Sequence, residues 1–261
     1  MNQTIADGSL KANNLATGVI ELVLDMLEFK AFASGSSGNL YALSDGNSKL
    51  LLDCGLPYKE IQRALEFKIS EASGCLLTHC HADHSKSAAD IMRAGIDVYT
   101  SQGTIDALGL SGHRVHAIKA KQQFRINNWR IMPIEAIHDS PEPLAFLIAN
   151  SQGERCLFAT DTAYLKSRFV NLNVIAVECN YSLDILRANV EAGSVPATLK
   201  NRLLKSHFSL ENVKEFLKAN DLGKVQEIWL LHMSNGNSDS ERFKREVMEL
   251  TGKPTYIAHE G

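Results

Sequence analysis

The stretch Thr78-His79-Cys80-His81-Ala82-Asp83-His84 sets three imidazoles and a carboxylate within six successive positions. Just before it, Gly74-Cys75-Leu76-Leu77 is a short apolar run with the pattern of a buried strand. Just after it, residues 85–94 read as a helix that Gly95 stops. The polar residues therefore crowd one strand-to-helix turn. Imidazole with carboxylate is a donor set for zinc, manganese or iron. His79 and His81 are two apart, so an extended backbone points both the same way. Asp83 and His84 lie past the turn and can face the opposite side of the same cavity. One pair cannot easily share an ion with the other, so the spacing predicts two adjacent ions. Cys80 alternates away from His79 and His81 and is read as a packing residue.

The gross numbers narrow the class. A chain of 261 residues with 44% hydrophobic residues suits one large or two small globular domains. The net charge of −3 excludes a globally basic nucleic-acid binder, though not a locally basic groove. Five cysteines (54, 75, 80, 156 and 179), several inside apolar runs, suggest buried free thiols in a reducing cytoplasm. No stretch approaches the ~20 apolar residues of a membrane span, and no signal peptide is evident. Residues 1–25 read as an appended leader, and 26–261 as one domain.

The strand-like runs place polar residues in a telling way. Leu50-Leu51-Leu52 leads to Asp53, and the strand from Trp129 ends at Ile137-His138-Asp139. Arg155 to Ala159 leads to Thr160-Asp161-Thr162, Val174 to Val177 to Glu178-Cys179-Asn180-Tyr181, and Val225 to Leu231 to His232. Helical patterns start near Pro57, Ser101, Leu183, Ala197, Ser209 and Ser238, the first running to about Phe67. About a dozen short strands and six or seven helices suit an α/β (α+β) chain, with two sheets face to face and helices outside. His79, His138, Asp161 and His232 each end an apolar run, and sheets gather such ends along one edge where ligands bind.

H-x-H-x-D-H at 79–84 resembles the signature of the metallo-β-lactamase superfamily at every fixed position. His138, Asp161 and His232 follow in that family's order, and the likeness runs from about residue 27 onward. The resemblance implies a four-layer αββα sandwich of two mixed sheets. It implies two divalent metal ions, zinc or manganese with iron possible. By this mapping His79, His81 and His138 hold the first ion, Asp83, His84 and His232 the second, and Asp161 bridges. Asp53 matches an early Asp that buttresses the site without ligating. His207 rivals His232, but His232 ends a strand and is the expected ligand. A bridging Asp is typical of the branches that cleave phosphodiesters and thioesters, where two ions generate a hydroxide at neutral pH. Asp83 is accordingly expected to be catalytic as well as a ligand.

Gly35-Ser36-Ser37-Gly38-Asn39, His138-Asp139, Thr160-Asp161-Thr162, Glu178-Cys179-Asn180-Tyr181, His207-Phe208-Ser209 and Leu231-His232-Met233-Ser234 together resemble the YycJ/WalJ-like group. That group is associated with DNA exonuclease activity. The segment after His232 keeps only part of the group's Asn-rich pattern. His207-Phe208-Ser209 also resembles a phosphate-holding segment of the tRNA 3′-processing branch. His207 is thus expected to be catalytic, and Ser209, Asn180 and Asn39 to bind substrate. Ser209 opens a helix, and helix N-termini bind phosphate through free N–H groups. Lys200, Arg202 and Lys205 add local positive charge. The reading is a cytoplasmic phosphodiesterase, most readily a DNA exonuclease, whose partner is a nucleic acid or nucleotide. RNA or cyclic-nucleotide hydrolysis, or glyoxalase-II-like thioester hydrolysis, is the alternative. No C-terminal basic helical region supports the thioester route.

Overall fold

The computed structural model describes residues 26–258. The expected leader, residues 1–25, lies outside the described residues. Six strands form the first sheet in sequence order: β1 (Glu28–Ala33), β2 (Leu40–Ser44), β3 (Lys49–Leu52), β4 (Ala72–Leu76), β5 (Val98–Thr100) and β6 (Val115–Ala117). Seven form the second: β7 (Phe124–Ile126), β8 (Trp129–Glu135), β9 (Leu144–Ala149), β10 (Arg155–Ala159), β11 (Val174–Glu178), β12 (Glu227–Leu231) and β13 (Thr255–Ile257). Both sheets are mixed. β1 to β3 and β7 to β10 pair antiparallel, while β3 to β6 and β10 to β13 pair parallel.

The helices are α1 (Tyr58–Ala64), α2 (Ala82–Ser85), α3 (Ala88–Arg93), α4 (Gln102–Leu108), α5 (Leu183–Glu191), α6 (Ala197–Ser206), α7 (Leu210–Lys218) and α8 (Ser240–Thr251). Alternation along single strands explains the layering. In β11, Val174 and Ala176 enter the core between the sheets, while Ile175 and Val177 enter an outer core with Val213 and Phe216 of α7 and Phe243 of α8. In β3, Leu50 and Leu52 face the inner core and Leu51 an outer one with Ile61 of α1 and Ile91 of α3. A strand covered on both faces reads as a continuous apolar run, as β11 does. The result is the expected αββα sandwich. All five cysteines are free, and four are buried. No helix of the described residues is long and apolar enough to cross a membrane.

Two helix limits differ from expectation. α1 stops at Ala64, because Glu66 and Phe67 turn into the left-handed region at φ 51° and 62°. The helix after the histidine cluster is two pieces, and the first, α2, contains Asp83 and His84.

Candidate metal centre

The parallel strands of both sheets deliver their C-terminal ends to one edge of the sandwich. Asp53 follows β3, His79 follows β4 by three residues, Asp161 follows β10 by two, and His232 directly follows β12. His138 lies three residues past β8, later than its strand-end reading implied. Asp53, Asp161 and His232 all have positive φ, at 58°, 42° and 49°. Left-handed backbone at a residue other than glycine is strained, and such strain clusters at functional sites.

Three groups of donors result, and Asp161 belongs to all of them: with His79, His81 and His138, with Asp83, His84 and His232, and with Glu178, His207 and His232. In the first, His81 Nδ1 lies 3.1 Å from His79 Nε2 and 3.1 Å from His138 Nε2. Asp161 Oδ2 lies 3.5 Å from His138 Nε2 and 3.9 Å from His79 Nε2. In the second, His84 Nε2 lies 3.5 Å from Asp83 Oδ2 and 3.3 Å from Asp161 Oδ1. His232 completes it, 3.3 Å from Asp83 Oδ2 through Nε2 and 3.4 Å from Asp161 Oδ1 through Nδ1. Tetrahedral bonds of about 2.0–2.1 Å set ligand atoms about 3.3 Å apart, so these separations suit the edges of such a polyhedron. Asp161 Oδ1 is buried without a hydrogen-bond partner, as a carboxylate oxygen reserved for a cation would be.

The charges point the same way. Burial pushes the Asp161 carboxyl up, but His232 and His84 outweigh it and hold the group well below the usual carboxylate range. Burial, with His84 beside it, holds His79 well below the usual imidazole range, and burial lowers His138 as well. Those two rings are therefore neutral, the state in which imidazole ligates. Burial opposes a proton on His232, yet Asp161 and Asp83 push it up to about 10. A cation is what this ring of carboxylates calls for, and the donor set fits a divalent metal.

A surrounding layer orients the donors. Asp53 is fully buried; its Oδ1 accepts the Thr78 N–H at 2.9 Å, and its Oδ2 meets His84 Nδ1 at 2.7 Å. This turns His84 Nε2 to the centre, so Asp53 buttresses and stays outside all three donor groups. His138 Nδ1 bonds the Ser206 carbonyl at 2.8 Å. The His232 N–H donates to Ser34 Oγ, which meets Tyr41 Oη, which in turn donates to Asn39 Oδ1. Gly55 lies so close to α2 that a Cβ there would sit 1.7 Å from the Asp83 carbonyl oxygen. Asp53→Ala is expected to weaken binding of the ion beside His84 by about 10–100-fold. Titration against a chelator of known affinity measures it; unchanged affinity would remove Asp53 from the support.

Glu178, named in a motif but given no role by the sequence, joins His207 to His232. Its Oε1 lies 2.6 Å from His207 Nδ1 and 3.5 Å from His232 Nδ1. Its Oε2 accepts the N–H groups of Thr162 and Phe208, each at 3.0 Å. A lone carboxylate ending the otherwise apolar β11 was the available signal. His207 stands outside the second donor group but beside it, its ring parallel to that of His232 at 5.9 Å and edge-on to His138 at 5.1 Å. Burial lowers His207 while Glu178 more than offsets this, so its affinity for a proton is raised.

The three expected substrate-binding residues each make contacts within the protein. Ser209 is buried and caps α7, accepting the Asn212 N–H at 3.2 Å, while the Leu210 N–H is taken by the Tyr181 carbonyl. The Leu210 and Asn212 N–H groups of that helix start are thus already bonded within the chain. Asn39 is fully buried, its amide donating to the Gly35 and Asp83 carbonyls and lying 3.1 Å from His84 Nε2. Asn180 donates to the His232 carbonyl at 2.8 Å. The two asparagines hold the loops that carry the candidate donors, because every strand end that brings a donor must also bury its own backbone polar groups.

Over residues 48–233 the chain matches the beta-lactamase superfamily domain. It is 28% identical over 242 residues to exodeoxyribonuclease YycJ of Bacillus anthracis, covering 86% of this chain and 89% of that protein. It is 28% identical over 231 residues to exodeoxyribonuclease WalJ of Streptococcus pneumoniae D39, covering 82% and 84%. Among solved structures, the metallo-beta-lactamase fold protein YhfI of Bacillus subtilis is similar with a TM-score of 0.70 at 16% identity, covering 90% of this chain and 97% of that one. The chain is a metal-dependent hydrolase that belongs to the metallo-β-lactamase superfamily and is similar within it to the YycJ/WalJ exodeoxyribonucleases.

Proposed function

We propose that this hydrolase uses two divalent ions to cleave phosphodiester bonds in DNA, as an exonuclease. The observation that carries the reading is Asp161 facing both the His79–His81–His138 group and the Asp83–His84–His232 group, with the His207–Glu178 pair in a third group beside them. The relatives named exodeoxyribonuclease support DNA as the substrate. His79, His81 and His138 would hold one ion, Asp83, His84 and His232 the other, and Asp161 would bridge. When bound, two such ions activate water and offset charge on the attacked and leaving oxygens.

The chain's own residues do the rest. Asp83 is the partly exposed carboxylate of the second group and is placed to accept a proton from the attacking water. As the bond from phosphorus to the leaving oxygen breaks, His207 delivers a proton to that oxygen, and Glu178 holds the ring and favours its charged form. Asn180 and Asn39 act through the rings of His232 and His84.

Protein loaded with Mn²⁺ or Zn²⁺ should degrade duplex or single-stranded DNA faster than RNA, cyclic nucleotides, a thioester or a chromogenic β-lactam. A preference for the thioester or β-lactam would refute the phosphodiesterase reading, and a preference for RNA or a cyclic nucleotide would refute DNA.

A further inference from the structure

Every helix of the described residues except α6 carries an Asp or Glu. α6 has none and holds Lys200, Arg202 and Lys205 within ten residues, in a chain with 27 basic and 30 acidic residues overall. Arg202 and Lys205, three apart, repel each other mildly, and an anion bound between them would relieve that repulsion. Leu203 and Ser206 of this helix are buried. Thr198, Arg202 and Lys205, spaced four and three apart, are exposed and lie along one side.

That side begins at the metal centre. The Ser206 carbonyl holds His138 Nδ1, which fixes α6 against a candidate ligand. Arg202 Nε donates to Asp139 Oδ2 at 2.7 Å, and Asp139 Oδ1 lies 3.2 Å from His138 Nε2. The Arg202 side chain remains 53% exposed. Its two terminal nitrogens have no hydrogen-bond partner among the described residues. A guanidinium can hold one anion through Nε and offer its terminal N–H groups to another, in the fork geometry that suits phosphate. Asp139 alone, 42% exposed on the rim, would repel a polyanion, and Arg202 cancels that charge.

We infer that Arg202, backed by Lys205 on the next turn, grips the phosphate adjacent to the one being cut. The site therefore takes a nucleic-acid strand with at least two consecutive phosphates, in preference to a cyclic nucleotide or any single-phosphate diester. This rests on the phosphodiesterase reading above.

The test compares two substrates in Mn²⁺-loaded protein across a salt series: a single-stranded DNA oligonucleotide and bis(p-nitrophenyl) phosphate, which has one phosphate. Arg202→Ala should lower kcat/KM on the oligonucleotide by about tenfold or more, chiefly through KM, and reduce the salt dependence by about one charge. Its effect on the one-phosphate diester should be at least about tenfold smaller. Arg202→Lys should recover part of the oligonucleotide loss, because the charge returns without the fork. Equal losses on both substrates, or loss of metal from Arg202→Ala, would assign the arginine to steadying His138 through Asp139 and overturn the inference. An oligonucleotide-cleaving wild type matched by Arg202→Ala would overturn the inference alone. A wild type that cleaves neither diester would overturn the phosphodiesterase reading and this inference with it.

Discussion

Asp161→Ala protein purified without chelator is expected to retain little of either ion and to lose at least about 10³-fold in rate. One oxygen of this carboxylate faces His138 and His79, and the other faces His84 and His232. Its removal takes one negative donor from both groups at once. No neighbour can replace it, because Asp83 faces only the second group and Glu178 is committed to His207 and two backbone N–H groups. Asp161→Asn keeps the shape and removes the charge, so similar metal loss there would identify the charge as what matters. Elemental analysis of the wild type should approach two equivalents of zinc, manganese or iron. A wild type that stays at one equivalent after supplementation, or an Asp161→Ala protein that keeps two, would refute the shared-carboxylate arrangement.

His207→Ala is expected to keep both ions and still lose about 10²–10⁴-fold in rate, the usual contribution of a positioned general acid. The geometry separates the two stacked rings by task. His232 faces Asp83 and Asp161, whereas His207 is held by Glu178 at 2.6 Å and lies 4.0 Å from Asp161, in the third donor group and outside the two that contain the histidine cluster. His232→Ala should therefore shed one ion. Glu178→Gln should slow the reaction in the same direction as His207→Ala, because the ring loses the charge that raises its affinity for a proton. A leaving group that needs no proton, such as p-nitrophenolate, should lose much less in His207→Ala than DNA does. If His207→Ala sheds metal while His232→Ala keeps both ions, the two assignments exchange. Full DNA cleavage by a metal-replete His207→Ala protein would remove the proton-donor role.

What the sequence determined by itself is what local spacing and strand ends encode. H-x-H-x-D-H concentrates its donors within one turn, so their chemistry is legible without knowing the fold. Apolar runs ending in Asp53, Asp161 and His232 mark parallel strands, and parallel strands of one sheet end at the same edge, so the αββα layering and the gathering of these polar residues could be read together. Tertiary structure alone decided which polar residues have free atoms. Ser209 and Asn39 have the side chains of substrate binders, but their hydrogen bonds are spent on a helix cap and on loop carbonyls. Glu178 reaches His207 across 29 positions, Asn180 reaches His232 across 52, and Arg202 reaches Asp139 across 63. Those pairings depend on where β11, β12 and α6 come to rest. A hydrogen bond between distant residues leaves no periodicity in a single chain, because it is made by the packing that brings the two segments together.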